Sequence, residues 1–359
     1  MGTSVMYRSN PPEYTPRDIE LNRLDSTTSP PPSILSAPPP YDDGAPSSSR
    51  PFHPTVTLSI ETRGKSWCSL PLPLRPDPIP IFTLEADQQS ATELSRHHSF
   101  TSFRPDRGSG SCYLLPSGVS PTASCSSGTL PVLSTTTYRF GPSRPPRVRL
   151  FSPHSYSGPR GGIPRPVLEE LLFPSSSNSD PDDQELGIQP WDSFTITSLG
   201  LLTRAVSFRT RLGTFQWRYA SKREREALSA KENNMDVASL LVLERVVRVA
   251  HAHPHTAGGG GSKSKGKEEE VRTVVAQFVR GAGTRTEGSS RSSAGNGGRL
   301  LMDLGLWGES TTSSGGKEER EMAAVMVVTT CLVMLKREVD RRRAQQIAIM
   351  AGVAGGSGP

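Results

Sequence analysis

The sequence predicts a mostly β protein: a closed antiparallel β-barrel enclosing one C-terminal hydrophobic helix, with a disordered N-terminal tail and long loops. Three observations carry that expectation. Met322–Leu335 (MAAVMVVTTCLVML) is apolar all the way round, so as a helix it has to be enclosed by lipid or by protein. At ~1.5 Å per residue the run reaches only ~21 Å, short of the ~30 Å hydrocarbon core of a bilayer, which favours protein as the enclosure. Upstream, almost every ordered-looking segment has the pattern of a strand.

Composition sets the bounds. The 359 residues include 33 Gly and 33 Pro, with hydrophobic residues at only 33%, between a globular domain and an unfolded segment. A compact core therefore coexists with long unfolded stretches. The net charge of +6 is mild and its basic residues mix with acidic ones, which argues against a nucleic-acid partner and leaves a modest attraction to anionic surfaces. Four scattered cysteines (Cys68, Cys112, Cys125, Cys331) form no CxxC pair, and Cys331 sits in the apolar run as a small buried hydrophobe. Reduced thiols, no apolar h-region in Met1–Asn10 and no N-glycosylation sequon lead to the expectation of a cytoplasmic protein, peripheral to a membrane if it meets one.

In chain order, residues 1–51 lack hydrophobic periodicity and are expected to be a disordered Pro/Ser-rich tail. The barrel is placed at 52–345. Val56, Leu58 and Ile60 alternate with polar residues up to Gly64, the signature of a first strand; Ile79–Leu84 and Cys112–Leu115 follow. Residues 116–183 are dominated by Ser, Pro, Thr and Gly, with strand-like islands at Thr137–Phe140 and Val148–Phe151. This stretch reads either as strands between long loops or as non-native sequence.

Pattern returns with Phe194, Ile196 and Ala205–Phe208. Thr214–Tyr219 alternates cleanly, Phe215, Trp217 and Tyr219 on one face, the row expected to face the core. Lys222–Lys231 is expected as a short helix, Leu240–Val249 as a strand buried over its first half, 251–270 as a linker and Val271–Val279 as a strand. Asn296-Gly297 is a tight-turn signal, and Arg299–Trp307 is expected to follow as a strand. Asp303 and Glu244 are expected to face solvent or pair with Arg299 or Arg245. The acid run Glu318, Glu319, Glu321 and the basic Lys336, Arg337 and Arg341–Arg343 suit the two ends of a helix dipole, with a disordered tail over 346–359.

The strongest motif lies in the tail. Pro11-Pro12-Glu13-Tyr14 and Pro38-Pro39-Pro40-Tyr41 are both PPxY. Proline pre-sets the extended polyproline shape that docks into an aromatic groove with little entropy lost, and WW domains read this pattern; two copies on a flexible chain permit avidity. The expected partner-binding residues are thus Pro11, Pro12, Tyr14, Pro38, Pro39 and Tyr41. His251, His253 and His255 alternate but stand in a Gly-rich linker with no carboxylate or Cys nearby, and Gly261–Glu268 imitates a phosphate loop while lacking its Ser or Thr and the flanking strand and helix. No metal, no cofactor and no catalytic constellation is expected. The basic cluster Arg337, Arg341, Arg342 and Arg343 reads as a solvated helix end, as a patch for anionic lipid headgroups or as a nuclear-import-type signal.

The succession TFQWRYASKRERE, LLVLERV, VAQFVR, SAGNGGRLLMDL and KREVDRRRAQQIAIMAG resembles a group of fungal proteins similar to the tubby C-terminal and LURP-one-related fold. That resemblance implies a β-barrel around a C-terminal helix. It also brings in relatives that bind phosphoinositides or belong to the phospholipid scramblases. The function expected is a non-enzymatic adaptor whose tail binds a WW-domain protein, such as a ubiquitin ligase, and whose barrel binds a membrane phosphoinositide. The alternatives are a scramblase-like lipid-binding protein and a tail-anchored membrane protein with Met322–Leu335 as its span.

Overall fold

In a computed structural model the structure describes residues 50–72, 77–86, 94–105, 110–119, 129–138, 144–152, 162–172, 189–200, 203–231, 236–250, 268–307 and 315–355. All lie within one compact unit, Pro46–Pro359. The first strands are β1 (Val56–Ile60), β2 (Ile79–Ala86), β3 (Leu94–Phe103), β4 (Cys112–Pro116), β5 (Thr129–Leu130), β6 (Ser134–Thr137), β7 (Arg147–Leu150) and β8 (Ile163–Pro164). After α1 (Arg165–Leu172) come β9 (Asp192–Thr195), β10 (Thr197–Ser198), β11 (Val206–Thr210) and β12 (Gly213–Tyr219). Helix α2 (Lys222–Lys231), β13 (Ser239–Ala250), β14 (Glu268–Arg280), β15 (Gly298–Met302) and α3 (Gly315–Gly355) complete the order.

Among the described residues, a 13-stranded antiparallel sheet runs β10 to β15 in chain order, then through β1, β2, β3, β4, β6, β7 to β9. Its two ends are neighbours in the chain. The segment Asp192–Ser198 pairs with β7 through its first half and with β11 through its second, and buried Ile196 marks the change. The sheet is thereby nearly closed into a barrel. The short β5–β8 pair lies apart from it.

Helix α3 fills the barrel. Met322, Ala323 and Val325–Leu335 are buried, in one cluster with Leu58 of β1, Leu114 of β4, Val148 of β7, Phe215 and Trp217 of β12, and Leu300 of β15. Two helix hydroxyls reach different staves: Thr330 Oγ1 accepts from Trp217 Nε1 at 3.0 Å, and Thr329 Oγ1 bonds Ser134 Oγ at 2.7 Å. The apolar helix is thus enclosed by the protein's own strands, and no described helix is long and apolar enough to cross a membrane.

Two strands break the apolar–polar alternation because both of their faces are covered. Leu114 of β4 points into the barrel core, while Tyr113 and Leu115 join Leu168, Leu171 and Leu172 of α1 in a second cluster outside it. In β13, Leu241 and Leu243 face the interior, and Leu240 and Val242 pack outward with Leu228 of α2. The start of α2 is fixed by a reciprocal cap: Ser221 N donates to Glu224 Oε2 at 2.7 Å and Glu224 N to Ser221 Oγ at 3.2 Å.

Residues 116–183 contribute strands β5–β8 and α1, of which β5, β8 and α1 share a buried apolar cluster with Tyr113 and Leu115 of β4. Several other expectations need correcting. The island at 137–140 is displaced: the strand is Ser134–Thr137. Strand β3 went unread because LSRHHSFTSF has too few apolar residues. Two neighbours' ladders hold it, with Thr83 Oγ1 bonding Ser99 Oγ at 2.5 Å. Asn296-Gly297 forms no two-residue hairpin, because 281–297 is one long connection, whose left-handed glycines are Gly288 at φ 73° and Gly295 at φ 67°. The strand from Arg299 stops at Met302, where buried Asp303 accepts from Gly305 N at 3.1 Å and opens a 3-10 turn, Leu304–Leu306. Buried Glu244 pairs with Arg218 at 2.5 Å and with Arg272 at 3.3 Å, bonds across to neighbouring strands that position along the chain did not reveal. The linker expected over 251–270 is shorter, since β14 begins at Glu268; residues 251–267 lie outside the described residues. Helix α3 continues through 346–355, where a tail was expected, because its Ala, Gln, Ile and Met residues all tolerate helix. Its basic residues therefore stand mid-helix, at the barrel's rim, and the last turn carries none.

Candidate functional site: an arginine-lined barrel mouth

Where α3 leaves the barrel, the ends of β12 and β14 and the connection 281–297 converge on Glu338. Arg280, the last residue of β14, donates through Nη1 and Nη2 to Glu338, both at 2.6 Å. Tyr219, the last residue of β12, donates its hydroxyl to the same carboxylate, and Gly295 N donates at 2.9 Å. Arg280 also reaches Asn296 Oδ1 and Ser239 Oγ, each at 3.0 Å. Glycine is needed at 295: φ is 67°, and a Cβ there would meet Val339 and the Leu335 carbonyl.

Electrostatics follow from this geometry. Burial alone would raise the Glu338 carboxyl, but the Arg280 hydrogen bonds and charge override it and hold the group below its ordinary value. Burial, then Glu338, pushes the Tyr219 phenol up, so it stays a donor. Arg280 is held above its ordinary value because Glu338 outweighs the cost of burial. Among the described residues lining the mouth, the Glu338 carboxylate is thus the one acidic group, and its charge is paired with Arg280.

Around this pin opens a cavity of about 350 Å³, lined among the described residues by Arg204, Arg280, Arg285, Arg291, Arg341 and Arg342, with Tyr219, Ser239, Ser292, Ser293, Asn296 and Gln345 between them. Arg291 and Arg341 make no hydrogen bond or ion pair with described residues, and Arg204 lies over the Tyr219 ring at 5.6 Å. A neighbouring hollow of about 510 Å³ shares Arg204, Tyr219 and Ser239 and adds Arg218 and Arg225. Guanidinium groups around a small cavity, with hydroxyl and amide donors between them, have the chemistry that pairs with phosphate-bearing anions.

Of the basic cluster named from sequence, the structure brings Arg341 and Arg342 to this cavity. Arg337 instead donates to Ser198 Oγ at 2.7 Å, and Arg343 to Pro71 O at 3.3 Å. Burial, then the charge of Arg341, lowers the Arg337 guanidinium. The aromatic row behaves as expected, with Phe215 and Trp217 in the core and Tyr219 at the rim. Cys331 is buried beside the pin, and burial pushes its thiol up. Sequence missed Arg204, Arg280, Arg285 and Arg291, which share no spacing. The PPxY residues Pro11, Pro12, Tyr14, Pro38, Pro39 and Tyr41 lie outside the described residues, as do His251, His253 and His255. Among the described residues, no group of three or more His, Cys, Asp or Glu side chains could hold a metal ion.

No protein-family model, curated protein or solved structure matches the chain.

Proposed function

We propose that this protein is a non-enzymatic adaptor: its barrel mouth holds the phosphorylated headgroup of a membrane phosphoinositide, and its PPxY tail recruits a WW-domain protein such as a ubiquitin ligase. The observation that carries the barrel half is the six-arginine cavity, whose carboxylate is already neutralised by Arg280. Its volume of about 350 Å³ suits a small polyanion. Strong guanidinium–phosphate pairing supplies affinity, and the hydroxyl and amide groups between the arginines supply orientation. The resemblance read from the sequence, to a group that includes phosphoinositide-binding tubby domains, implies the same class of ligand.

Arg285→Gln/Arg291→Gln/Arg341→Gln spares the Arg280–Glu338 pin while removing three charges. Co-sedimentation with phosphatidylcholine vesicles carrying phosphatidylinositol bisphosphate should weaken at least ten-fold in this variant, and the wild-type affinity should fall steeply with salt. Unchanged binding would remove the headgroup reading. For the tail, isolated WW domains should retain the wild-type chain and lose Tyr14→Ala/Tyr41→Ala; equal retention of both would dismiss the adaptor half.

A further inference from the structure

Beside the arginine cavity, the 65–72 loop is built inside out. Lys65, itself buried, donates Nζ to the carbonyls of Leu70 at 2.5 Å and Leu72 at 3.1 Å. From α3, Gln346 Nε2 donates to the carbonyls of Ser66, Trp67 and Ser69 at 3.3, 2.7 and 2.7 Å. With those backbone groups turned inward and satisfied, the large apolar side chains face out: Trp67 is 46% exposed, Leu70 69% and Leu72 53%. On the helix, Ile347, Ile349 and Met350 are also exposed, within one turn of Gln346. Arg342 links this patch to the cavity, because it lines the cavity and lies 4.4 Å from the Trp67 ring centroid.

We infer that Trp67, Leu70 and Leu72, with Ile347, Ile349 and Met350, form a membrane-inserting edge that enters the interface of an anionic bilayer while the arginine cavity holds a headgroup; the inference rests on the headgroup reading of that cavity. Charge and chemistry select a bilayer as the occupant. The patch borders a strongly cationic cavity, as an anionic surface demands. A tryptophan beside an arginine is an interfacial pair, its ring at headgroup depth and the charge among phosphates. A loop whose carbonyls of Ser66, Trp67, Ser69, Leu70 and Leu72 are already hydrogen-bonded enters an apolar layer with a smaller penalty, because those acceptors need no water. The edge turns a pocket for a soluble phosphate into one that prefers the same phosphate on a membrane.

The test uses the full chain and two probes: soluble inositol trisphosphate by calorimetry, and phosphatidylcholine vesicles carrying phosphatidylinositol bisphosphate by co-sedimentation. Trp67→Ser/Leu70→Ser/Leu72→Ser should keep its affinity for inositol trisphosphate within two-fold of wild type and lose at least ten-fold for vesicles. Tryptophan fluorescence of the wild type should be quenched by brominated lipid in those vesicles, and Trp67→Phe should abolish most of that quenching. Equal vesicle binding by the triple variant overturns the inserting edge. So does loss of self-association in the triple variant with vesicle binding intact, which would mark a contact between copies of the chain. If the wild type binds no inositol trisphosphate, the headgroup reading falls by itself; bromolipid quenching that still depends on Trp67 on phosphatidylserine vesicles keeps the edge, and its absence there overturns both.

Discussion

At the scale of single residues, the account turns on Glu338. Four donors converge on it from Arg280, Tyr219 and Gly295, coming from two strands and one long connection. Removing one partner of a buried ion pair strands the other, so Glu338→Ala should cost about 3–5 kcal/mol. Replacing both, as in Arg280→Met/Glu338→Leu, should cost less than the single change, read from urea midpoints. The carboxyl is depressed in the folded protein, so its contribution is whole above its ordinary value near 4.5 and is lost as pH falls through the lower folded value. The stability gap between wild type and Glu338→Gln should therefore narrow on acidification from about pH 7 to about pH 3. A gap constant across that range would show that the pin contributes nothing through its charge.

At the scale of elements, α3 does two jobs along one length. Residues 322–335 are core, the turns after them carry the basic rim, and its last turns stand beyond the barrel. Met326→Ala should cost about 2–5 kcal/mol in a thermal or urea melt, as deletions in a closed core do. Ile347→Ala, exposed, should change stability by no more than about 0.5 kcal/mol. Equal effects at the two positions would mean that the helix is not sheathed over its first half. Much of this was legible in the sequence: an all-round apolar run announces its enclosure, and Phe215, Trp217 and Tyr219 alternate visibly. Strand β3 was illegible because its stability comes from ladders supplied by β2 and β4, and its own side chains carry little apolar signal. The end of β15 was hidden for a different reason, since Leu304 and Leu306 continue the apolar pattern of a strand through a 3-10 turn that only Asp303's capping bond defines.

At the scale of the whole molecule, the barrel assembles what the chain scatters. The cavity draws its arginines from positions 204, 280, 285, 291, 341 and 342, and no local pattern joins them. Only the closure of β10–β15 around α3 puts them at one rim, so the site was illegible except for Arg341 and Arg342, which stood out as a run. The same closure explains why the run Met322–Leu335, too short to cross a bilayer, is nonetheless apolar on every side. Its partners lie far from it along the chain, as Leu58 of β1 and Val325 of α3 share one core cluster.

The enclosure of α3 is the claim on which the rim, the cavity and the inserting edge all depend, and native-state hydrogen exchange read by mass spectrometry tests it directly. Amides of 322–335 should exchange only through global unfolding, with an opening free energy equal to that from denaturant melts, while those of 347–355 exchange much faster. Equally fast exchange in both segments would contradict the account, because a helix without a sheath would open locally along its whole length.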